Sequence, residues 1–220
     1  MEILDYRDDY CIKSDENYII KDVIVKEKTL YLSLKRCFDF FVSLIAFVFL
    51  LPIMIVVAIL IKLDSEGPII YAQERLGKNG KKFMMYKFRS MNINAEEDGP
   101  RWASDDDERC TRFGKIMRKC RLDELPQLIN IIKGEMSIVG PRPEREYFYN
   151  EFNKYIEGFD KRLLVKPGLT GYAQVNGGYD LKPEEKIVFD MFYIENMSFK
   201  LDFWCLIYTV RLLFTHEGAR

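Results

Sequence analysis

Asp123 and Glu124 are adjacent carboxylates followed by Leu125-Pro126 and then by an apolar pattern at Leu125, Leu128, Ile129 and Ile132. That spacing predicts a helix ending at Gly134, with Asp123 at its N-terminus. Two chemistries fit. Asp favours the N-cap, and Glu and Pro suit the first turn, so the pair reads as a helix start. The same start offers free N–H groups to a phosphate, while one carboxylate attacks phosphorus and its neighbour holds a magnesium ion. Phosphate chemistry also needs cations, and Lys87, Arg89, Arg112, Arg118 and Arg142 are the candidates. Arg142 stands between Pro141 and Pro143 after Gly140, so two prolines fix the backbone that presents it. That loop reads either as a structural turn with a surface Arg or as a preorganised clamp for a nucleotide diphosphate.

Other chemistries have less support. The single His216 lies in the C-terminal tail, which argues against His ligation of a metal or a Ser-His pair. Five scattered cysteines without a C-x-x-C pair argue against a disulfide framework or a zinc site and fit a reducing compartment. The acidic stretch at Glu96, Glu97, Asp98 and Asp105 to Glu108 reads as solvated loop rather than metal site. A net charge of -1 over 220 residues excludes no single class but gives no sign of a nucleic-acid binder.

Positioning falls to the surrounding elements. Phe40 to Ile61 contains no charged residue, a length that crosses a hydrocarbon core as a helix. Pro52 lies past its middle and is expected to kink or break it. Lys35 and Arg36 precede the run and Lys62 follows it, heading a basic stretch to Arg89. Positive charge marks the cytoplasmic side, so a re-entrant helix that enters and leaves one leaflet is favoured over a simple span. Phe199 to Phe214 mixes Trp, Tyr and aliphatic residues with Lys200, Asp202 and Arg211, and reads as an interfacial helix or an ordinary packing helix. Ile69–Gln73 and Lys82–Met91 around a Gly77–Gly80 turn read as a short β-hairpin, and Phe113–Lys119 as a basic helix.

The order of these pieces resembles the bacterial sugar transferases, the monotopic polyprenyl-phosphate phosphoglycosyl transferases. The matching stretches are Lys35-Arg36-x-x-Asp39 with the apolar run, Tyr86-Lys87-Phe88-Arg89-Ser90-Met91, Thr111-Arg112-Phe113-Gly114 and Leu122-Asp123-Glu124-Leu125-Pro126-Gln127-Leu128. Lys133 to Pro143, Lys166 to Gly177, and Asp190 with Tyr193 continue the series. The resemblance spans 34–214. It implies an α+β, mainly α fold: a polar extension (1–33), a re-entrant membrane helix broken at Pro52 (34–62), and a catalytic domain with a short β-hairpin and interfacial amphipathic helices (63–220). It implies that Asp123 attacks the phosphate of a UDP-sugar, releases UMP, and passes the sugar phosphate from a covalent intermediate to undecaprenyl phosphate by a ping-pong route. Glu124 would be the Mg2+ carboxylate, and Lys87, Arg118, Arg142 and Asp190 match substrate or active-site positions. The implied setting is the cytosolic face of the bacterial cytoplasmic membrane, at the first membrane step of polysaccharide or glycoconjugate assembly. Membrane lipid is a partner there, with a homodimer and downstream glycosyltransferases as further candidates. Leu51 stands where the family often has Ser before the break proline, and no extra transmembrane helices are read here, as in the small class of the family. Alternatives are a non-catalytic membrane scaffold of the same fold and an enzyme that moves only the sugar. No stretch, Tyr172 to Leu181 included, reads as a signature of a particular sugar.

Overall fold

A computed structural model describes residues 9–14, 17–25, 28–97, 99, 101, 107–177 and 181–215. Asp98, Asp105, Asp106 and His216 lie outside these residues.

The apolar run forms most of helix α1, Thr29–Asp64, 36 residues long and therefore about 54 Å from end to end. It is the one helix among the described residues long and apolar enough to cross a membrane, with a mean hydropathy of 3.3 in its most apolar window. Lys62 in the last turn suits the helix dipole, and Ser65 and Gly67 (φ 118°) turn the chain away. The helix is continuous through Pro52, where a break into two helices was one expectation. The proline removes one donor, a loss confined to one turn of a helix whose other bonds persist, and apolar helices tolerate it.

The contacts of α1 decide how it sits. Its buried positions are Lys35, Asp39 and Ser43, then Met54, Val57 and Ile61. Ser43 and Met54 are eleven positions apart, close to three helical turns, so both groups belong to one stripe. That stripe lies on the folded domain along the whole helix. At one end, Arg36 donates to the carbonyls of Ile131 (2.6 Å) and Ile132 (2.7 Å), and Asp39 accepts from Ser137 Oγ (2.7 Å) and the Ile138 N–H (3.1 Å). At the other, the Asp64 carboxylate accepts the Phe113 N–H at 3.2 Å. The outward face, including Phe41, Val48, Phe49, Ile55, Ile59 and Leu63, is apolar and exposed.

Strands β1 (Cys11–Ser14) and β2 (Asn17–Ile20) form a small hairpin that pairs in parallel with β6 (Ile156–Glu157), tying the polar N-terminal segment to the domain. Sequence reading gave no strands there, because four-residue strands carry too few alternations to register. The expected hairpin is present as β3 (Ile70–Leu76) and β4 (Lys82–Phe88), with Tyr71 opposite Lys87 and Gln73 opposite Met85. Helix α2 (Arg112–Lys119) is capped by Thr111, whose hydroxyl accepts the Gly114 N–H at 3.0 Å. Helix α3 (Gln127–Lys133) leads to β5 (Ser137–Val139), which pairs in parallel with β7 (Gly168–Thr170). A Cβ on Gly168 would lie 2.1 Å from the Gly140 nitrogen, so the two backbones touch where the Pro141–Pro143 loop departs.

Helix α4 (Glu146–Asn153), the short α5 (Tyr172–Val175) and α6 (Pro183–Asn196) complete the domain before α7 (Phe199–Thr215). Helix α6 is central: Ile187, Met191 and Ile194 are fully buried against Ile131, Met136, Ile156 and Phe159. Helix α7 buries Asp202 and Cys205 but exposes Phe199, Phe203, Ile207 and Val210, a run at helical spacing. An ordinary packing helix would turn that stripe inward, whereas here the apolar face is turned outward.

Candidate active site

The Asp-Glu pair sits in a tight turn. Arg121 adopts a left-handed conformation (φ 55°), Leu122–Glu124 form one 3-10 turn, and Pro126 opens α3. Neither carboxylate caps a helix, for the cap positions of this turn and of α3 are Arg121 and Pro126, with no side-chain cap bond at either. The N–H groups of Glu124, Leu125, Leu128 and Ile129 are also spent, on the carbonyls three residues earlier. These four N–H groups are therefore already engaged within the turn, and the positive charge nearest the pair comes from side chains, Lys87 and Arg142.

Three attachments hold the turn. Leu122 and Leu125 pack into a cluster with Met54, Val57 and Ile61 of α1, Phe88 of β4 and Met117 of α2. Asn130 accepts from the Tyr86 N–H (3.1 Å) and donates to the Met84 carbonyl (2.7 Å), stapling α3 to the strand that carries Lys87. Arg36 caps the far end of α3, where a cation suits the dipole. Of the expected apolar face, Leu128 is buried, yet Ile131, rather than Ile129 or Ile132, is the residue shut away completely.

Both carboxylates line a cavity of about 590 Å³ with Lys87, Arg118, Arg142 and Pro143. Lys87 Nζ lies 3.0 Å from Glu124 Oε1 and 3.7 Å from Asp123 Oδ2, and Arg142 also donates to Glu124 Oε1. The two carboxylates are thereby driven apart. Burial pushes Asp123 up, with Glu124 adding to the rise and Lys87 opposing it. Burial would raise Glu124 as well, but Arg142 and Lys87 override it and hold the carboxyl far below the usual range. Asp123 is thus the more basic and more nucleophilic of the two, while Glu124 keeps its charge.

The pH dependence follows. A neutral carboxyl cannot attack phosphorus, so activity carried by Asp123 falls as pH drops through a pKa above that of an ordinary Asp. For the UDP-sugar that the sequence resemblance implies, the acid limb of kcat/KM is expected above the usual carboxylate range, and Glu124, being depressed, adds no second limb there. A rate that stays flat down to the ordinary Asp range contradicts the assignment.

The remaining expected residues divide. Arg112 is exposed on the first turn of α2, outside the cavity, and Pro141 is buried and does not line it. Asp190 does not line the cavity either; it binds Arg162 Nε at 2.6 Å, and Arg162 NH2 donates to the Arg142 carbonyl at 3.0 Å. It therefore positions Arg142 from behind. Residues unmarked in the sequence reading also line the cavity: Tyr71, Gln73 and Arg75 of β3, with Arg121 and Arg145. The available signal was alternation along β3 opposite Lys87.

Among the described residues no three Asp, Glu, His or Cys side chains converge as a metal cluster. Mg2+ does not need one, since it commonly keeps waters and takes one or two carboxylates plus phosphate oxygens. Two neighbouring carboxylates in a basic cavity fit that donor set. Of the remaining acidic stretch, Asp107 pairs with Arg109 at 2.6 Å and Glu96 with Arg145 at 2.9 Å, so these two act as ion-pair partners.

Residues 30–216 match the family described as Bacterial sugar transferase. The UDP-N-acetylgalactosamine-undecaprenyl-phosphate N-acetylgalactosaminephosphotransferase of Aeromonas hydrophila is 43% identical over 194 residues, covering 87% of this chain and 46% of that protein. A putative undecaprenyl-phosphate N-acetylgalactosaminyl 1-phosphate transferase of Bacillus subtilis (strain 168) is 50% identical over 145 residues, 66% of this chain and 81% of its own length. The UDP-glucose:undecaprenyl-phosphate glucose-1-phosphate transferase of Escherichia coli (strain K12) is 37% identical over 191 residues, 84% of this chain and 41% of that protein. The chain thus spans about half the length of two of these three relatives.

Proposed function

The chain belongs to the bacterial sugar transferase family, and we propose that it transfers a sugar 1-phosphate from a UDP-sugar to undecaprenyl phosphate, releasing UMP. The observation that carries this reading is the placement of the dyad: buried Asp123 beside Glu124 in a cavity lined by Lys87, Arg118 and Arg142, on a turn whose Leu122 and Leu125 pack against α1.

In the first half-reaction Asp123 Oδ attacks the phosphorus bonded to the sugar. The bond from that phosphorus to the bridging oxygen breaks, and UMP departs with the electron pair. The sugar phosphate is then held as an acyl phosphate on Asp123. In the second half-reaction an oxygen of undecaprenyl phosphate attacks the same phosphorus and frees the Asp123 carboxylate. Lys87 and Arg142 exchange their contacts with Glu124 for donor phosphate oxygens, and Arg118 adds a third cation. Glu124, with Asp123 beside it, would hold Mg2+, which when bound screens phosphate charge from an anionic nucleophile.

The lipid acceptor requires a site at the bilayer surface, and α1 supports one. Both of its ends are tied to the same domain, through Arg36 and Asp39 at one end and Asp64 at the other, which supports a helix with its ends on one side of the membrane. We therefore place both ends on the cytosolic side, with α1 along the membrane surface and the outward faces of α1 and α7 in lipid.

The test uses purified protein, undecaprenyl phosphate, Mg2+ and a panel of UDP-N-acetylgalactosamine, UDP-glucose and UDP-galactose. At least one donor is expected to yield UMP and a polyprenyl diphosphate sugar. Release of UDP instead would mark an enzyme that moves only the sugar, and turnover of none would favour a non-catalytic scaffold.

A further inference from the structure

The cavity has a second end, whose chemistry differs from that of the dyad. Tyr71 stands opposite Lys87 in the β3–β4 ladder, and Gln73 follows two residues on. They share the Lys87 face of the hairpin, with successive side chains about 7 Å apart along the strand. Glu96 accepts from Tyr71 Oη (3.2 Å), Gln73 Nε2 (3.2 Å) and Arg145 NH1 (2.9 Å). Arg75 donates to Gln73 Oε1 and, at 3.1 Å, to Glu144 Oε2. Glu96 and Glu144 offset Arg75 and Arg145 one for one, whereas at the dyad end three cations, Lys87, Arg118 and Arg142, stand against the two carboxylates of Asp123 and Glu124.

A phosphate is drawn to the cationic end. A neutral ring rich in hydroxyls suits the balanced end, where planar carboxylate, amide and guanidinium groups accept and donate in pairs beside the aromatic ring of Tyr71. The groups are also within reach of a ligand, since the Glu96 side chain is 37% exposed and Tyr71 is 38% exposed. Connectivity selects which ring it is. The sugar of a UDP-sugar is bonded to the attacked phosphorus, whereas the uracil is separated from it by a second phosphate and a ribose. Tyr71 is the rung neighbour of Lys87, which touches both dyad carboxylates. Resting on the UDP-sugar reading of this cavity, we propose that Tyr71, Gln73 and Glu96 form the subsite that holds the transferred sugar and selects among donors.

The test separates sugar from uracil by comparing UDP-sugars with UDP. Calorimetry on the full chain in detergent gives affinities for UDP, UDP-N-acetylgalactosamine and UDP-glucose, and the UMP assay gives kcat/KM for each sugar donor. In Glu96→Gln and Gln73→Ala the ratio of the two donors is expected to change about tenfold, with UDP affinity held within about twofold. Tyr71→Phe, which removes one hydroxyl and keeps the ring, guards against misfolding and is expected to act in the same direction more weakly. Equal weakening of UDP and UDP-sugars would place the uracil here and overturn the proposal, as would donor ratios unchanged in all three variants. Selective loss of UDP-sugar binding without any UMP from the unsubstituted protein would support the subsite while rejecting the reaction.

Discussion

Asp123→Asn is expected to abolish UMP release, with a loss of about 10^3-fold or more, while the protein still inserts into membranes and folds. The amide is nearly isosteric but has no anionic oxygen to bond phosphorus, so no covalent intermediate forms. The fold should survive because burial already disfavours the Asp123 charge. The cations also keep their main partner, since Lys87 and Arg142 bond to Glu124. Thermal unfolding and membrane fractionation of the variant check that half of the expectation. Near-normal turnover in a well-folded Asp123→Asn protein would remove Asp123 from the chemistry.

Asp190→Ala is expected to cost about 3–5 kcal/mol, because it strands the Arg162 guanidinium in the core. Both side chains of this pair are at most 2% exposed, and their contact is 2.6 Å. For a protein of this size the loss corresponds to a fall in Tm on the order of 10 °C. A second consequence separates positioning from packing. The double variant Asp190→Leu with Arg162→Met replaces the ion pair by apolar groups and should recover much of the Tm. It should not recover kcat/KM, since the donor to the Arg142 carbonyl is gone. Full recovery of both would reduce the pair to packing.

The elements with long or repeated patterns were legible in the sequence. The uncharged run from Phe40 to Ile61 announced α1, and alternation announced β3 and β4 to within a few residues. The Asp-Glu pair was legible as a candidate, yet its alternative role as a helix cap could be dismissed only with the turn in view. There, Pro126 holds the cap position and no side chain caps. Contacts made across long stretches of chain stayed hidden. Asp190 reaches the site through Arg162, 28 positions earlier, and Glu96 bonds to Gln73 from 23 positions away. Lys35 could be seen as flanking charge, but the stripe it begins with Asp39 and Ser43, and its continuation through Met54 to Ile61, are recognisable only against the domain they pack on. Arg112 illustrates the opposite error: a cation in the right motif that faces solvent, because the helix carrying it buries Gly114 and Met117 instead.

The central claim is that Asp123 carries the sugar phosphate between donor and acceptor. Incubating the full protein with its UDP-sugar and Mg2+ in the absence of undecaprenyl phosphate, then measuring intact mass and peptide fragments, tests it directly. The expected result is one UMP released per active protein and a mass increase of one sugar phosphate on the peptide containing Asp123, discharged when undecaprenyl phosphate is added. UMP release that waits for the acceptor, with no adduct on that peptide, would contradict it.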